Sequence, residues 1–140
     1  MEYIVREFMT DDYEAVLNVW LQTDMGGAHR GDNLQIIQNT ITNGGVLFVL
    51  EEIKTKTIAG TSWITNDHRR LYLHHFGISP YFQGKGLSHL LMEKSMEFAR
   101  NLKLQIKLEV HKDNLKARQL YEKYSFKYLG DYEVFIVRDI

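Results

Sequence analysis

The sequence predicts an α+β fold, a single mixed sheet with helices packed on it, in one domain spanning residues 1–140. Three observations point there. Short β-prone runs alternate with segments whose apolar residues recur at helical spacing. A length of 140 residues suits one domain large enough to bury a core. The composition is that of an ordinary folded domain, 44% hydrophobic and 25% charged, with one proline and no cysteine.

Tyr3–Phe8 is a β-prone run, and Thr10-Asp11-Asp12 opens a helix with capping side chains and acids in its first turn. Tyr13, Val16, Leu17 and Trp20 give that helix an apolar stripe. The segment from Met25 to Asp32, with three glycines, reads as a loop. A second helix carries Leu34, Ile37 and Ile41 and ends near Asn43-Gly44-Gly45. Val46–Glu52 and Ile58–Asn66 read as an antiparallel hairpin, with Leu71–Ile78 a third strand beside it. After Ser79-Pro80 and a glycine loop, Leu87, Leu90, Leu91, Phe98 and Ala99 mark a third helix. Gln105–His111 alternates as a half-polar strand, and Ala117, Leu120, Tyr121 and Tyr124 mark a fourth helix. Phe126–Leu129 and Tyr132–Val137 are expected to close the sheet, giving about seven strands and about four helices.

Composition also excludes functions. Without cysteine there is no disulfide, thiolate catalysis or cysteine-held metal site. The six histidines are scattered and show no metal-ligand spacing, so no metal is expected. A net charge of −1 gives no general push toward nucleic acid or an anionic membrane. The charged start, Met1–Glu7, is no signal peptide, and no apolar run is long enough to span a bilayer. A cytoplasmic location follows as the expectation. The charge is uneven, however: residues 79–128 hold ten Lys+Arg against five Asp+Glu. That stretch suits a polyanionic small molecule.

The chemistry concentrates in Phe76-Gly77-Ile78-Ser79-Pro80-Tyr81-Phe82-Gln83-Gly84-Lys85-Gly86-Leu87-Ser88, where a strand runs into a glycine loop and then a helix start. The first amides of a helix lack internal acceptors, the dipole favours an anion there, and glycine allows close approach of a phosphate. Neither a P-loop nor a dinucleotide fingerprint fits: Gly86 follows Lys85, and Gly84-x-Gly86-x-x ends on His89.

Gln83-x-x-Gly86-x-Ser88 resembles the Gln/Arg-x-x-Gly-x-Gly/Ala signature of the GCN5-related N-acetyltransferase (GNAT) superfamily, with Ser88 in place of the usual small residue. Leu108-Glu109-Val110-His111-x-x-Asn114-x-x-Ala117-x-x-Leu120-Tyr121-x-x-x-Ser125-Phe126 is similar to its later motif, with Ser125 where glycine is more usual. The resemblance implies a GNAT-like, mostly antiparallel twisted sheet in which the strands Leu71–Ile78 and Gln105–His111 run parallel and splay apart. It implies acetyl-coenzyme A as cosubstrate. The pantetheine arm would bond to backbone around Phe76, Gly77 and Ile78, and Gln83, Gly84, Lys85, Gly86, Leu87 and Ser88 would hold the pyrophosphate. Asn114 would contact the coenzyme, and the same residue can cap its helix.

Direct acyl transfer to an amine needs a neutral amine, a polarised carbonyl and a proton for the leaving thiolate. By resemblance Tyr121 supplies that proton, as a hydrogen bond while charge develops or with its pKa lowered by the local positive charge. Two residues compete as base. Glu109 matches the base of the branch that acetylates protein N-termini, and His74 matches a histidine base of some arylalkylamine acetyltransferases. Alternation puts His74 and His75 on opposite faces of their strand. The acceptor, a primary amine of a small molecule, peptide or protein, would be met by Thr23–Thr42, with His29 among them, and by the turn at 129–133. A second copy of the chain is a candidate partner. The alternative is a non-catalytic acyl-coenzyme A-binding module, which would keep the glycine loop without needing Tyr121 and Glu109.

Overall fold

The computed structural model describes residues 1–25 and 31–140, which divide into two compact units, Met1–Glu109 and Val110–Ile140. His29 lies outside the described residues.

The first unit is a five-stranded sheet, β1 (Tyr3–Glu7), β2 (Val46–Glu52), β3 (Ile58–Asn66), β4 (Leu71–Ile78) and β5 (Ile106–Leu108), ordered as in the chain. The first four strands pair antiparallel, and β4 pairs parallel with β5. A parallel partner needs a crossover connection. Helix α3 (Leu87–Leu102) supplies it, while α1 (Tyr13–Gln22) and α2 (Leu34–Thr42) connect β1 to β2.

Strand β2 is apolar on both sides because both sides are covered. On one side Leu47 and Val49 join Val16, Val19 and Trp20 of α1, Ile37 of α2 and Trp63 of β3 in one buried cluster. Trp20 and Trp63 stack there at 5.3 Å, and the Trp63 indole donates to the Thr40 hydroxyl on α2. On the other side Phe48 meets Phe98 of α3 edge-on at 6.0 Å, and Ser62 shares a buried hydrogen bond with Ser95 at 2.7 Å. The period of two along each strand thus sorts side chains between α1/α2 and α3.

The N-terminus is tied down by charge. The Arg6 guanidinium bonds both oxygens of Asp12 at 2.8 and 2.9 Å and reaches Glu51 at 3.0 Å, and Asp12 also accepts from the Met9 N–H. Burial pushes the Asp12 carboxyl up, but the Arg6 and Met9 hydrogen bonds and the Arg6 charge outweigh it and hold the group below its ordinary value.

Two expectations are corrected. The strand expected over Gln105–His111 is only Ile106–Leu108, since the ladder to β4 lasts three pairs. The closing strands, Phe126–Leu129 and Tyr132–Val137, are not formed, so the sheet has five strands rather than about seven. A β-prone sequence becomes a strand only with a paired neighbour and a covered face. Val134–Val137 is continuously apolar rather than alternating, and these side chains are exposed.

The second unit holds α4 (Leu115–Lys123), which is capped at both ends. The Asn114 side chain accepts from the Ala117 N–H, and the Phe126 and Ser125 amides bond the Tyr121 and Glu122 carbonyls. Ser125 takes φ +71 to close that cap, the position where a helix prefers glycine.

Candidate active site

Strand β4 is the backbone of the site, and two irregularities shape it. First, its parallel ladder to β5 pairs Leu71 with Ile106, Tyr72 with Lys107 and Leu73 with Leu108, then stops. From His74 to Ile78 the strand runs on, paired only to β3 within the sheet. The parallel pairing therefore ends at Leu73, because β5 itself ends at Leu108.

Second, β4 carries a bulge. Thr61 pairs with Gly77 and Trp63 with His74, so three steps on β4 match two on β3. His75 absorbs the extra residue with φ +42. The bulge cancels the expected alternation. The His75 ring lies edge-on to Trp20 at 4.7 Å and to Trp63 at 5.2 Å, and the His74 ring also meets Trp63, at 6.1 Å. Both histidines thus face α1 and α2, not opposite sides as the sequence predicted.

Around His74 the polar groups form a chain. Its ring stacks on Tyr72 at 4.1 Å and shares a hydrogen bond with the Thr65 hydroxyl at 2.9 Å. Burial, then the neighbouring His75, draws the His74 pKa down to about 4, against the opposing pull of Glu109 and Asp32. The Tyr72 phenol is held well above its usual range by burial, and then by its hydrogen bond to Glu109 and that carboxylate's charge. Glu109 follows β5 directly, so the short strand brings it to the Tyr72 side chain. The Lys107 ammonium sits 5.1 Å from the Tyr72 ring centre.

The glycine loop follows β4. After the turn Pro80–Phe82, the Gln83 amide donates back to the Ile78 carbonyl at 2.8 Å, fixing the loop to the strand end. Gly84 and Gly86 take φ +79 and +73, and a Cβ at either would meet nothing within 4 Å. The chain turns through two left-handed positions and leaves open space beside its backbone, which is what a phosphate-holding loop requires. Gly86 caps α3; Leu87 and Ser88 are the first two residues of that helix, Leu87 buried and Ser88 half-buried. The Lys85 ammonium lies 5.5 Å from the Tyr81 ring centre and 5.6 Å from that of Phe82. Phe76 and Gly77 lie at the β4 end, where the Met25 methyl stands 2.8 Å from where a Gly77 Cβ would be.

In the second unit Asn114 is the cap of α4, and Tyr121 lies one helical face on, edge-on to Phe126 at 5.7 Å. Burial pushes the Tyr121 phenol up to about 12.

Sequence reasoning missed Tyr72, His75 and Asp32. The His75 Nε2 and Asp32 Oδ2 atoms are 2.8 Å apart, with about a fifth of each side chain exposed. Gly77 inside the strand pattern hints at an irregularity but does not say which residue absorbs it, and without the bulge His75 reads as the wrong face. Among the described residues no group of three or more His, Asp or Glu could hold a metal ion, and no helix is long and apolar enough to cross a membrane.

Residues 6–126 match the sequence model of the acetyltransferase (GNAT) family. An acetyltransferase of Pectobacterium atrosepticum is 28% identical over 126 residues, 88% of this chain and 86% of that one. A crystal structure of an acetyltransferase from Streptococcus agalactiae superposes with a TM-score of 0.78 at 21% identity, covering 98% of this chain and 92% of that one. The structure of AAC(6')-Iy in complex with a CoA-S-monomethyl-acetylneamine bisubstrate analog superposes with a TM-score of 0.77 at 14% identity, covering 100% and 99%. The likeness to the two solved structures is one of fold.

Proposed function

The chain belongs to the acetyltransferase (GNAT) family, an N-acetyltransferase by that membership, and we propose that it moves an acetyl group directly from acetyl-coenzyme A to a primary amine of a small molecule, peptide or protein in the cytoplasm, working as one domain over residues 1–140. One observation supports this most. The strand whose parallel pairing ends at Leu73 runs on through the Pro80–Phe82 turn into a glycine loop with open space beside Gly84 and Gly86.

The coenzyme is matched by that geometry and by the local excess of Lys and Arg over residues 79–128. Backbone at Phe76, Gly77 and Ile78 would bond the pantetheine arm. The Gln83–Ser88 loop would hold the pyrophosphate, with Gln83 bracing the loop and the first amides of α3 aimed at the anion. Asn114 would add a coenzyme contact while capping α4.

Tyr121 would steady the departing thiolate. Of the two bases nominated by the sequence, His74 is the weaker, because a group drawn to about 4 is a poor proton acceptor near neutral pH. Glu109 is the carboxylate proposed to take a proton as the carbon–nitrogen bond forms, with the Tyr72 phenol bonded to it. The test is a panel of primary amines (n-butylamine, benzylamine, 1,4-diaminobutane, an α-amino peptide and a lysine peptide) scored by release of free coenzyme A. Turnover of at least one is expected. Tight acetyl-coenzyme A binding with no turnover across the panel would favour a binding module instead.

A further inference from the structure

His75 and Asp32 have no part in the function as described so far, yet they form a well-defined polar pair on the stretch of β4 beyond its pairing with β5. Three observations bear on them. The bulge holds His75 at φ +42, and a non-glycine residue kept in that region is a feature of functional sites more often than of plain strands. The backbone there is clamped: the Thr61 hydroxyl donates to the His75 carbonyl at 2.7 Å while accepting from the Trp20 indole at 2.9 Å. The ring is then oriented by Asp32, which takes Nε2 at 2.8 Å. Among the described residues Nδ1 has no hydrogen-bond partner, so a tautomer with the proton on Nε2 leaves a lone pair on Nδ1. Among the described residues, Asp32 from the segment ahead of α2 and His74 from β4 are the titratable groups beside the ring; α1 and β3 face it with Trp20, Trp63 and Thr61.

We propose that His75, oriented by Asp32, takes the first proton from an acceptor that arrives as an ammonium ion, so that the enzyme accepts strongly basic alkylamines. This rests on the transferase reading above. The proton count gives such a group a task. An alkylamine enters as R–NH3+ and must lose two protons to leave as an amide. His75 Nδ1 takes the first and frees the nitrogen lone pair. Glu109 takes the second as the carbon–nitrogen bond forms and the thioester carbon–sulfur bond breaks. The departing sulfur leaves as a thiolate that accepts a hydrogen bond from Tyr121 and takes its proton from solvent, and the protons on His75 and Glu109 pass to solvent. Asp32 is a positioning residue: its carboxylate fixes the ring and stabilises the imidazolium. A lone base suits low-pKa amines, because neutralising a lysine-like amine at pH 7 costs roughly 4–5 kcal/mol. A second proton acceptor leaves that equilibrium cost in place but gives the first proton a path off the bound ammonium, so that a basic amine can be deprotonated within the site.

The experiment measures kcat/KM for the panel alkylamine with the best turnover, at pH 7 and at pH 10, in wild type, His75→Asn and Asp32→Asn. Asparagine is chosen at 75 because it tolerates positive φ. At pH 7 His75→Asn should lose about 10²-fold and Asp32→Asn about 10-fold. At pH 10, where much of the amine enters neutral, both losses should shrink to roughly threefold or less. Losses that are equal at the two pH values, or absent at pH 7, overturn the proposal and leave His75 a packing residue. Wild type that binds acetyl-coenzyme A but turns over no amine overturns the transferase reading instead, and this proposal with it.

Discussion

At the scale of single residues, Ser125 and Tyr121 make opposite demands. Ser125 occupies the left-handed cap after α4 with a side chain that gains nothing from it. Ser125→Gly should therefore stabilise the protein by about 0.5–1 kcal/mol, read as a rise in melting temperature. Tyr121 is held by its environment in the protonated form, its phenol at about 12. A thiol titrates near 8.5, so complete transfer from Tyr121 to a free thiolate is uphill by roughly 5 kcal/mol. The role proposed for Tyr121 is therefore a hydrogen bond while charge develops. Tyr121→Phe should lower kcat about 10²-fold, with coenzyme affinity and melting temperature nearly unchanged. Tyr121→Ala should also lower the melting temperature, through a cavity. Full activity in the Phe variant would remove Tyr121 from the chemistry.

At the scale of elements, the glycine turn and the β4 bulge show what a sequence does and does not reveal. The turn was legible because only glycine sits comfortably at φ near +75, so Gly84 and Gly86 mark it directly. Gly86→Val adds a side chain into open space, so it clashes with nothing in the chain but strains the turn by about 1–2 kcal/mol. Calorimetry should show at least a tenfold loss of acetyl-coenzyme A affinity in a folded protein, with Gly86→Ala intermediate; an unchanged affinity would take the loop out of coenzyme binding. The bulge was not legible. His74-His75-Phe76 carries no glycine or proline to mark it, and strict alternation assigned His75 to the wrong side. The helices were legible through Val16, Trp20, Leu91 and Ala99 at helical spacing. Tyr132–Val137 misled, because strand propensity says nothing about whether a partner is present.

At the scale of the whole molecule, the sheet of the first unit is stabilised from both faces, and its N-terminus is locked by Arg6 between Asp12 and Glu51. This lock sets an acid limit. The Asp12 carboxyl titrates lower when folded than when unfolded, so its stabilisation is present above the unfolded value, near pH 4, and is lost as pH falls through the folded value. Asp12→Asn should cost about 1–3 kcal/mol at pH 7. It should also flatten the fall of melting temperature below about pH 4, because the group responsible is gone. An equally steep acid decline in the variant would move the limit to another group. The element order through α4 was readable at this scale, and the parallel crossover followed from the family resemblance. No proline- or glycine-rich linker marks Glu109, where the structure divides into two compact units.

The aromatic surroundings of His75 have an optical consequence. The chain has two tryptophans, Trp20 and Trp63, and the rings of both lie within about 5 Å of the His75 ring. Both are buried, so solvent contributes little to their emission. Protonated imidazole quenches a nearby indole, whereas the neutral ring does so weakly. The intrinsic tryptophan fluorescence of this protein is therefore a signal from one place, where the His75 and His74 rings stand beside the indoles, and it needs no attached dye.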